Sequence, residues 1–443
     1  MLYTYGDSGA GPENERRITW ESIVIPPARL PKRLHMTLAW ISSEDMPDDW
    51  PTYLQDMKHL GFNGVGFFPR YWSEKTKDKG IAVAEAARRE GLAIIQNESP
   101  SAAVEEDRHQ PEVHSQFADG TTSTGETSFC PSYRGQYYRK EHASFGQHAV
   151  WLKPDYLFYD IEAFWTGAVP EAARCTRCRA RYNDGGFTDW DHFRAAMGKE
   201  MHVDMKAAID QALASAGLNH KIAYGSYRTE PVTELNDGIF KFADLYPDLL
   251  QMAMPSLYVA GSGQAVADNI SRNRAQMPAN DIVPWLTTGC YGEYEPVRTR
   301  DIVLEALANG ARGLTYFWYG HFDAGHFKYH AQATDLVAPI EGIFMDGKPL
   351  TGLRCNNPKL RLCGMGLGSE LAVLVSNYGG LRPDTIVELT LPVEARVPVW
   401  DLDAGKQIAE LWPGKATMNL MLGDRRTQML YVGNQYAAAV ARK

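Results

Sequence analysis

The stretch Tyr156-Leu157-Phe158-Tyr159-Asp160-Ile161-Glu162 runs from apolar residues into two carboxylates separated by one position. Side chains of a strand alternate between its faces, so Asp160 and Glu162 share one face and Ile161 takes the other. Two carboxyls aimed at one pocket resist ionising together, which raises one pKa and leaves a proton donor near neutral pH. That is the equipment for general acid catalysis of acetal cleavage. A second acidic cluster stands in Gly292-Glu293-Tyr294-Glu295-Pro296, where Glu293 is the candidate second catalytic carboxylate. The competing reading places Glu293 and Glu295 at the start of a helix, where acids complement the dipole. Glu98 and Glu230 are further acids just past apolar runs.

Rings and polar groups recur at the same kind of position. Trp40, Tyr71, Trp72, Asn97, Tyr227, Tyr258, Tyr291, Trp318 and Tyr319 all follow apolar runs. Flat apolar faces stack on sugar rings, and neighbouring polar groups hold hydroxyls. Arg70 and Arg228 sit beside them, and cations at the mouth of an acidic protein would read a carboxylate or sulfate on a substrate; pairing with Asp160, Glu98 or Glu230 is the alternative. His321, with Asp323 and His326, is a substrate contact or a metal ligand. Cys175-Thr176-Arg177-Cys178 is a lone CxxC. It reads first as a loop staple, since a tetrahedral zinc site needs two more ligands, which Cys130 and a histidine would have to supply. No metal is assigned and no cofactor is expected.

These residues need a scaffold that gathers chain segments far apart in sequence. Eight short apolar runs, Leu34–Trp40, Gly64–Phe68, Leu92–Gln96, Tyr156–Asp160, Lys221–Ser226, Leu250–Tyr258, Ile282–Thr288 and Leu314–Trp318, recur with helical stretches between them. Unbroken apolar strands alternating with helices predict a parallel sheet, and eight such units predict a (β/α)8 TIM barrel over residues 31–345. The third and fourth loops are longer and carry insertions. Helical spacing is explicit in Trp50, Tyr53, Leu54, Met57 and Leu60, and again in Val303, Ala306 and Leu307. In such a barrel ligands bind at the carboxyl ends of the strands, where all the candidates above fall. From residue 346 to 443 the pattern changes to strands without helices, such as Leu371–Ser376, Thr385–Leu391, Val397–Trp400 and Gln428–Val432, which predicts a small β-sandwich domain. Residues 1–30 read as an arm or a remnant of another domain.

Composition narrows the partners. The 443 residues are 44% hydrophobic and 22% charged, a globular balance, and the net charge of −9 argues against duplex nucleic acid or an anionic membrane surface. No apolar run is long enough to cross a membrane, and the first residues lack the basic and apolar regions of a secretory leader, though a trimmed chain would look the same. With 11 Trp, 22 Tyr and 16 Phe, a stacking ligand is favoured, and six cysteines fit a reducing compartment or a few local pairs. Compartment and oligomeric state are not legible.

The chain resembles (β/α)8-barrel glycoside hydrolases over residues 31–345. Tyr159-Asp160-Ile161-Glu162 is similar to the acidic end of strand four in chitinase-like family 18 enzymes, and Met254, Tyr258 and Trp318 to that family's strand-six and strand-eight positions. The resemblance implies Glu162 as acid/base, Asp160 as its partner orienting a substrate acetamido group, and Tyr258 steadying the intermediate. The run before Glu162 is aromatic rather than acidic, however, and no acid follows Tyr258. The larger clan of retaining barrel glycosidases is the other resemblance, with an acid/base from strand four and Glu293 or Glu295 as nucleophile. The expectation is a glycosidase acting on a polysaccharide or oligosaccharide. Its rivals are a non-catalytic carbohydrate-binding barrel and a metal-dependent barrel lyase or isomerase.

Overall fold

The computed structural model describes residues 22–100, 109–123, 129–161, 171–226, 231–236, 238–258, 261–317, 320 and 322–441. Seven parallel strands are β1 His35–Leu38, β2 Gly64–Phe67, β3 Ala93–Glu98, β4 Tyr156–Tyr159, β5 Ala223–Ser226, β6 Met252–Ala253 and β8 Gly313–Tyr316. Between the last two lies β7, in two pieces, Asp281–Ile282 and Trp285–Leu286. Its first piece pairs with β6 and its second with β8, which in turn pairs with β1, so the sheet closes on itself. Pro284 has no N–H to donate to the ladder and divides the strand there. The fold is a TIM barrel followed by a β-sandwich domain.

Alternation sorts every strand into two environments. Ala39, Ile95, Phe158, Met252, Met254, Val283 and Trp285 fill the barrel's interior, whereas Met36, Val65, Ile94, Leu157, Leu314 and Tyr316 pack outward with the helices. Room inside is tight. A Cβ on Gly66 would sit 1.7 Å from the Ala39 carbonyl oxygen, so that position of β2 accepts only glycine.

The helices are α1 Tyr53–His59, α2 Lys77–Arg89, α3 Gln136–Leu152, α4 Thr176–Asp184, α5 Trp190–Ser215, α6 Gly263–Gln276, α7 Val297–Ala308 and α8 Ala324–Val337. The two long loops hold α3, and α4 with α5, and α3 crosses α5 closely enough that a Cβ on Gly146 would meet Ala212 Cβ at 2.7 Å. The helix expected around Trp50 splits, with a short turn Met46–Asp49 ahead of α1. The sixth apolar run pairs regularly only over Met252–Ala253, because Pro255 interrupts it. β3 instead runs two residues past its expected end, pairing Glu98 with Tyr159.

The C-terminal domain comprises β9 Lys348–Pro349, β10 Arg354–Cys355, β11 Arg361–Leu367, β12 Glu370–Ser376, β13 Ile386–Thr390, β14 Val397–Asp401, β15 Lys406–Leu411, β16 Thr417–Met421 and β17 Thr427–Val432. They form a six-stranded sheet, β9-β11-β12-β17-β14-β15, and a three-stranded one, β10-β13-β16. Every residue of β12 is buried: Leu371, Val373 and Val375 meet the small sheet's Val387, Leu389 and Leu420, while Ala372 and Leu374 join the barrel's core. Buried polar contacts lock the domains together. Arg300 of α7 donates to both Asp403 oxygens at 2.8 and 2.7 Å and to Thr427, whose hydroxyl donates to Asp301 at 2.6 Å. Among the described residues no helix is long and apolar enough to cross a membrane.

Candidate active site at the barrel mouth

Tyr156 and Phe158 face the barrel interior, so the next residue on that face, Asp160, emerges at the carboxyl end of β4. Its N–H donates to the Glu98 carbonyl at 2.8 Å, which continues the ladder one residue past the strand and fixes this orientation. Ile161 turns outward into the core and is 2% exposed. Glu162 lies outside the described residues. Tyr258, past β6, lies close enough to Asp160 to feel its charge. Burial holds its hydroxyl well above the usual tyrosine range, a hydrogen bond with Ser256 opposes this and the negative charge of Asp160 adds to it, so the phenol stays protonated.

Aromatic rings from several strand ends meet at this mouth. Tyr258 stacks on Tyr291 with centroids 4.5 Å apart and planes 7° apart. Phe317 lies 5.7 Å from Tyr258 and 5.5 Å from Trp40, which in turn packs edge-on against Phe68 at 4.5 Å and Trp285 at 6.0 Å. Tyr291 and Tyr71 remain exposed. A wall of rings beside a carboxylate and a phenol is the kind of lining that suits a ligand with flat apolar faces and hydroxyl edges.

The other candidates go elsewhere. Glu98 has the parity of Ile94, not of Ile95, and its side chain enters the layer between β3 and α3. There Oε1 accepts from Gln96 Nε2 at 2.7 Å and meets His148 Nδ1 at 2.7 Å. The extra residues of β3 are what carry it away from the mouth. Asn97 does face inward, but its amide donates to the Ala39 carbonyl at 2.7 Å and ties β1 to β3. Arg70 is mostly buried, 4.0 Å from the buried carboxylate of Glu141 in α3. Glu293 is exposed and lines a groove of about 610 Å³ with Gly261–Gln264, Arg298, Tyr378 and Arg426, in which none of Trp40, Asp160 and Tyr258 takes part. Glu295 pairs with Arg298 at 3.6 Å just ahead of α7. Asp323 and His326 form the reciprocal cap of α8, Asp323 accepting from His326 N at 2.8 Å. Arg228, Glu230, Trp318, Tyr319 and His321 lie outside the described residues.

Glu44 escaped the sequence reading. It lies in Ser42-Ser43-Glu44-Asp45, beyond the expected end of the first strand at Trp40 and behind a serine pair, without an apolar run to flag it. The side chain is 4% exposed, accepts from Trp72 Nε1 at 2.8 Å, and leaves Oε2 without a partner among the described residues. Burial pushes its pKa up to about 7. The one clue in sequence was an acid in the loop that follows the first apolar run. The one group of three or more metal-ligating side chains among the described residues is Cys130, Cys175 and Cys178.

No protein-family model matches the chain, and no curated protein matches it either. Solved structures do. A GH27 β-L-arabinopyranosidase from Geobacillus stearothermophilus, in complex with arabinose, superposes with a TM-score of 0.54 at 12% identity, over 91% of this chain and 97% of that one. The GH36 α-galactosidase AgaA from the same organism gives 0.57 at 10% identity, over 92% of this chain and 56% of that chain. An α-amylase from Geobacillus thermoleovorans, complexed with acarbose, gives 0.55 at 9% identity, over 92% of this chain and all of the other. What these structures share with the chain is the fold.

Proposed function

We propose that the protein is a glycoside hydrolase acting on an oligosaccharide or polysaccharide at the carboxyl end of its barrel. The observation that carries this reading is the emergence of Asp160 on the interior face of β4, beside Tyr258 and a wall of rings. Asp160 and Glu162 supply the carboxylates for an oxocarbenium-like transition state, Glu162 donating the proton to the leaving oxygen. The protonated phenol of Tyr258 donates a hydrogen bond to charge that develops next to Asp160. The fold shared with a β-L-arabinopyranosidase, an α-galactosidase and an α-amylase supports a glycan substrate without choosing one.

Reducing-end release across neutral, amino-sugar, uronate and sulfated glycans tests the proposal, with wild type beside Asp160→Asn and Glu162→Gln. Loss of rate by a factor of roughly 10²–10⁴ in either variant, with the fold intact by circular dichroism, is the expected result. Unchanged hydrolysis in both would overturn the assignment. One observation favours a second reading, a barrel that binds glycans without cleaving them: Glu98 and Glu293 both lie away from the rings. On that reading glycans bind, and no reducing ends appear.

A further inference from the structure

The CxxC that reads from sequence as a loop staple has a third sulfur. Cys130, from the loop after β3, and Cys175 and Cys178, from the start of α4, are all buried, with side chains converging from two separate loops. Cys130 Sγ lies 3.6 Å from Cys175 Sγ and 3.5 Å from Cys178 Sγ, and all three sulfurs lie within 4.8 Å of one another. A disulfide would bring two of them to about 2.05 Å. A tetrahedral ion with sulfurs at about 2.3 Å instead spaces them about 3.8 Å apart, close to what is seen.

The surroundings suit sulfurs that carry charge. Ser132 Oγ donates to Cys178 Sγ at 3.3 Å, and the Gln116 N–H donates to Cys175 Sγ at 3.4 Å. Cys175 is also the N-cap of α4, where the helix dipole favours an anion. Hydrogen bonds to ligating atoms are how a protein orients a metal site.

We propose that Cys130, Cys175 and Cys178 bind a thiolate-preferring divalent cation of the zinc type, in a structural role. Three soft sulfur ligands select zinc over magnesium or calcium. Among the described residues no fourth histidine, cysteine, aspartate or glutamate joins the group, so the assignment is to three protein sulfurs. Each sulfur–metal bond replaces an S–H bond, and the protons leave to solvent, so uptake acidifies an unbuffered solution. The ion ties the segment after β3 to α4, which follows the loop that begins at Asp160. It is independent of the glycosidase reading.

Elemental analysis of the full chain, purified without chelator, is the test. One zinc per chain is expected, released when a mercurial blocks the thiols. Cys290→Ser keeps the metal, while Cys130→Ser and Cys178→Ser lose it by at least tenfold. Chelator-stripped protein refilled with cobalt(II) shows sulfur-to-cobalt charge-transfer bands and the visible spectrum of a tetrahedral site, which needs no variant to fold. Metal at background level in wild type, with no uptake of either ion by stripped protein, overturns the proposal. A disulfide joining Cys130 to Cys175 or Cys178 in non-reduced peptides does the same.

Discussion

Replacing Glu44 by glutamine reads the buried acid directly. Its pKa rises from 4.5 to about 7, with desolvation by burial as the leading cause. A shift of that size corresponds to about 3 kcal/mol between protonation states. The folded chain holds the proton more tightly than the unfolded one, so between pH 4.5 and 7 it carries more protons, and stability falls as pH rises through that window. The cost is absent below pH 4.5 and complete above pH 7. The glutamine amide retains an oxygen for the Trp72 indole N–H, which lies 2.8 Å from Oε1 of Glu44, and carries no charge at any pH. Glu44→Gln is therefore expected to match wild type at about pH 4 and to exceed it by up to about 3 kcal/mol at about pH 8. For a chain of 443 residues, with an unfolding entropy of about 2.1 cal/mol/K per residue, that is a rise in Tm of roughly 3 °C. Differential scanning calorimetry of both proteins across that pH range measures it. A difference that does not change with pH, or a variant that loses ground to wild type as pH rises, would show that Glu44 is ionised and satisfied in the fold, and would refute the reasoning.

Three further outcomes are expected. His202 is fully buried against Tyr159 and Phe240, neither ring nitrogen has a partner among the described residues, and burial lowers its pKa to about 3. The unfolded chain takes up a proton below pH 6.5 that the folded chain refuses, so about 2 kcal/mol is lost between about pH 7 and pH 5, and His202→Phe flattens that acid limb in a melting series; an unchanged limb rejects the assignment. Arg300→Ala strips Asp403 of its two-pronged partner and costs about 3–5 kcal/mol, because a buried carboxylate is left uncompensated; a loss under about 1 kcal/mol in chemical denaturation would mean that Arg425, 3.5 Å from Asp403, suffices. Tyr258→Phe keeps the stack on Tyr291 but removes the phenol beside Asp160, so the rate on the preferred glycan drops while affinity for the product holds; equal rates would leave the hydroxyl without a part in the chemistry.

The barrel was legible because fully buried parallel strands must be continuous apolar runs, and all eight strands lie within or beside the runs so identified. The sandwich was legible in part. β12 and β17 are apolar and largely buried, whereas β11, with Gly364 and Gly366, and β15, with Lys406 and Glu410, carry a weaker pattern because both faces of each are partly exposed. The direction of a candidate side chain was legible where alternation within a single strand decides it, as at Asp160. It was not where the end of a strand matters: two additional paired residues in β3 settle that Glu98 lies against His148 in the helix layer.

Sequence by itself determined which segments form strands and that Asp160 and Ile161 part to opposite faces, because these follow from local periodicity. Only the tertiary structure decided that Cys130 joins the CxxC, that Glu293 lines a groove against the sandwich domain, and that Glu44 is desolvated beneath Trp72. Those facts depend on which distant loops meet, and a loop's path is set by the packing of the elements at both of its ends rather than by the residues within it.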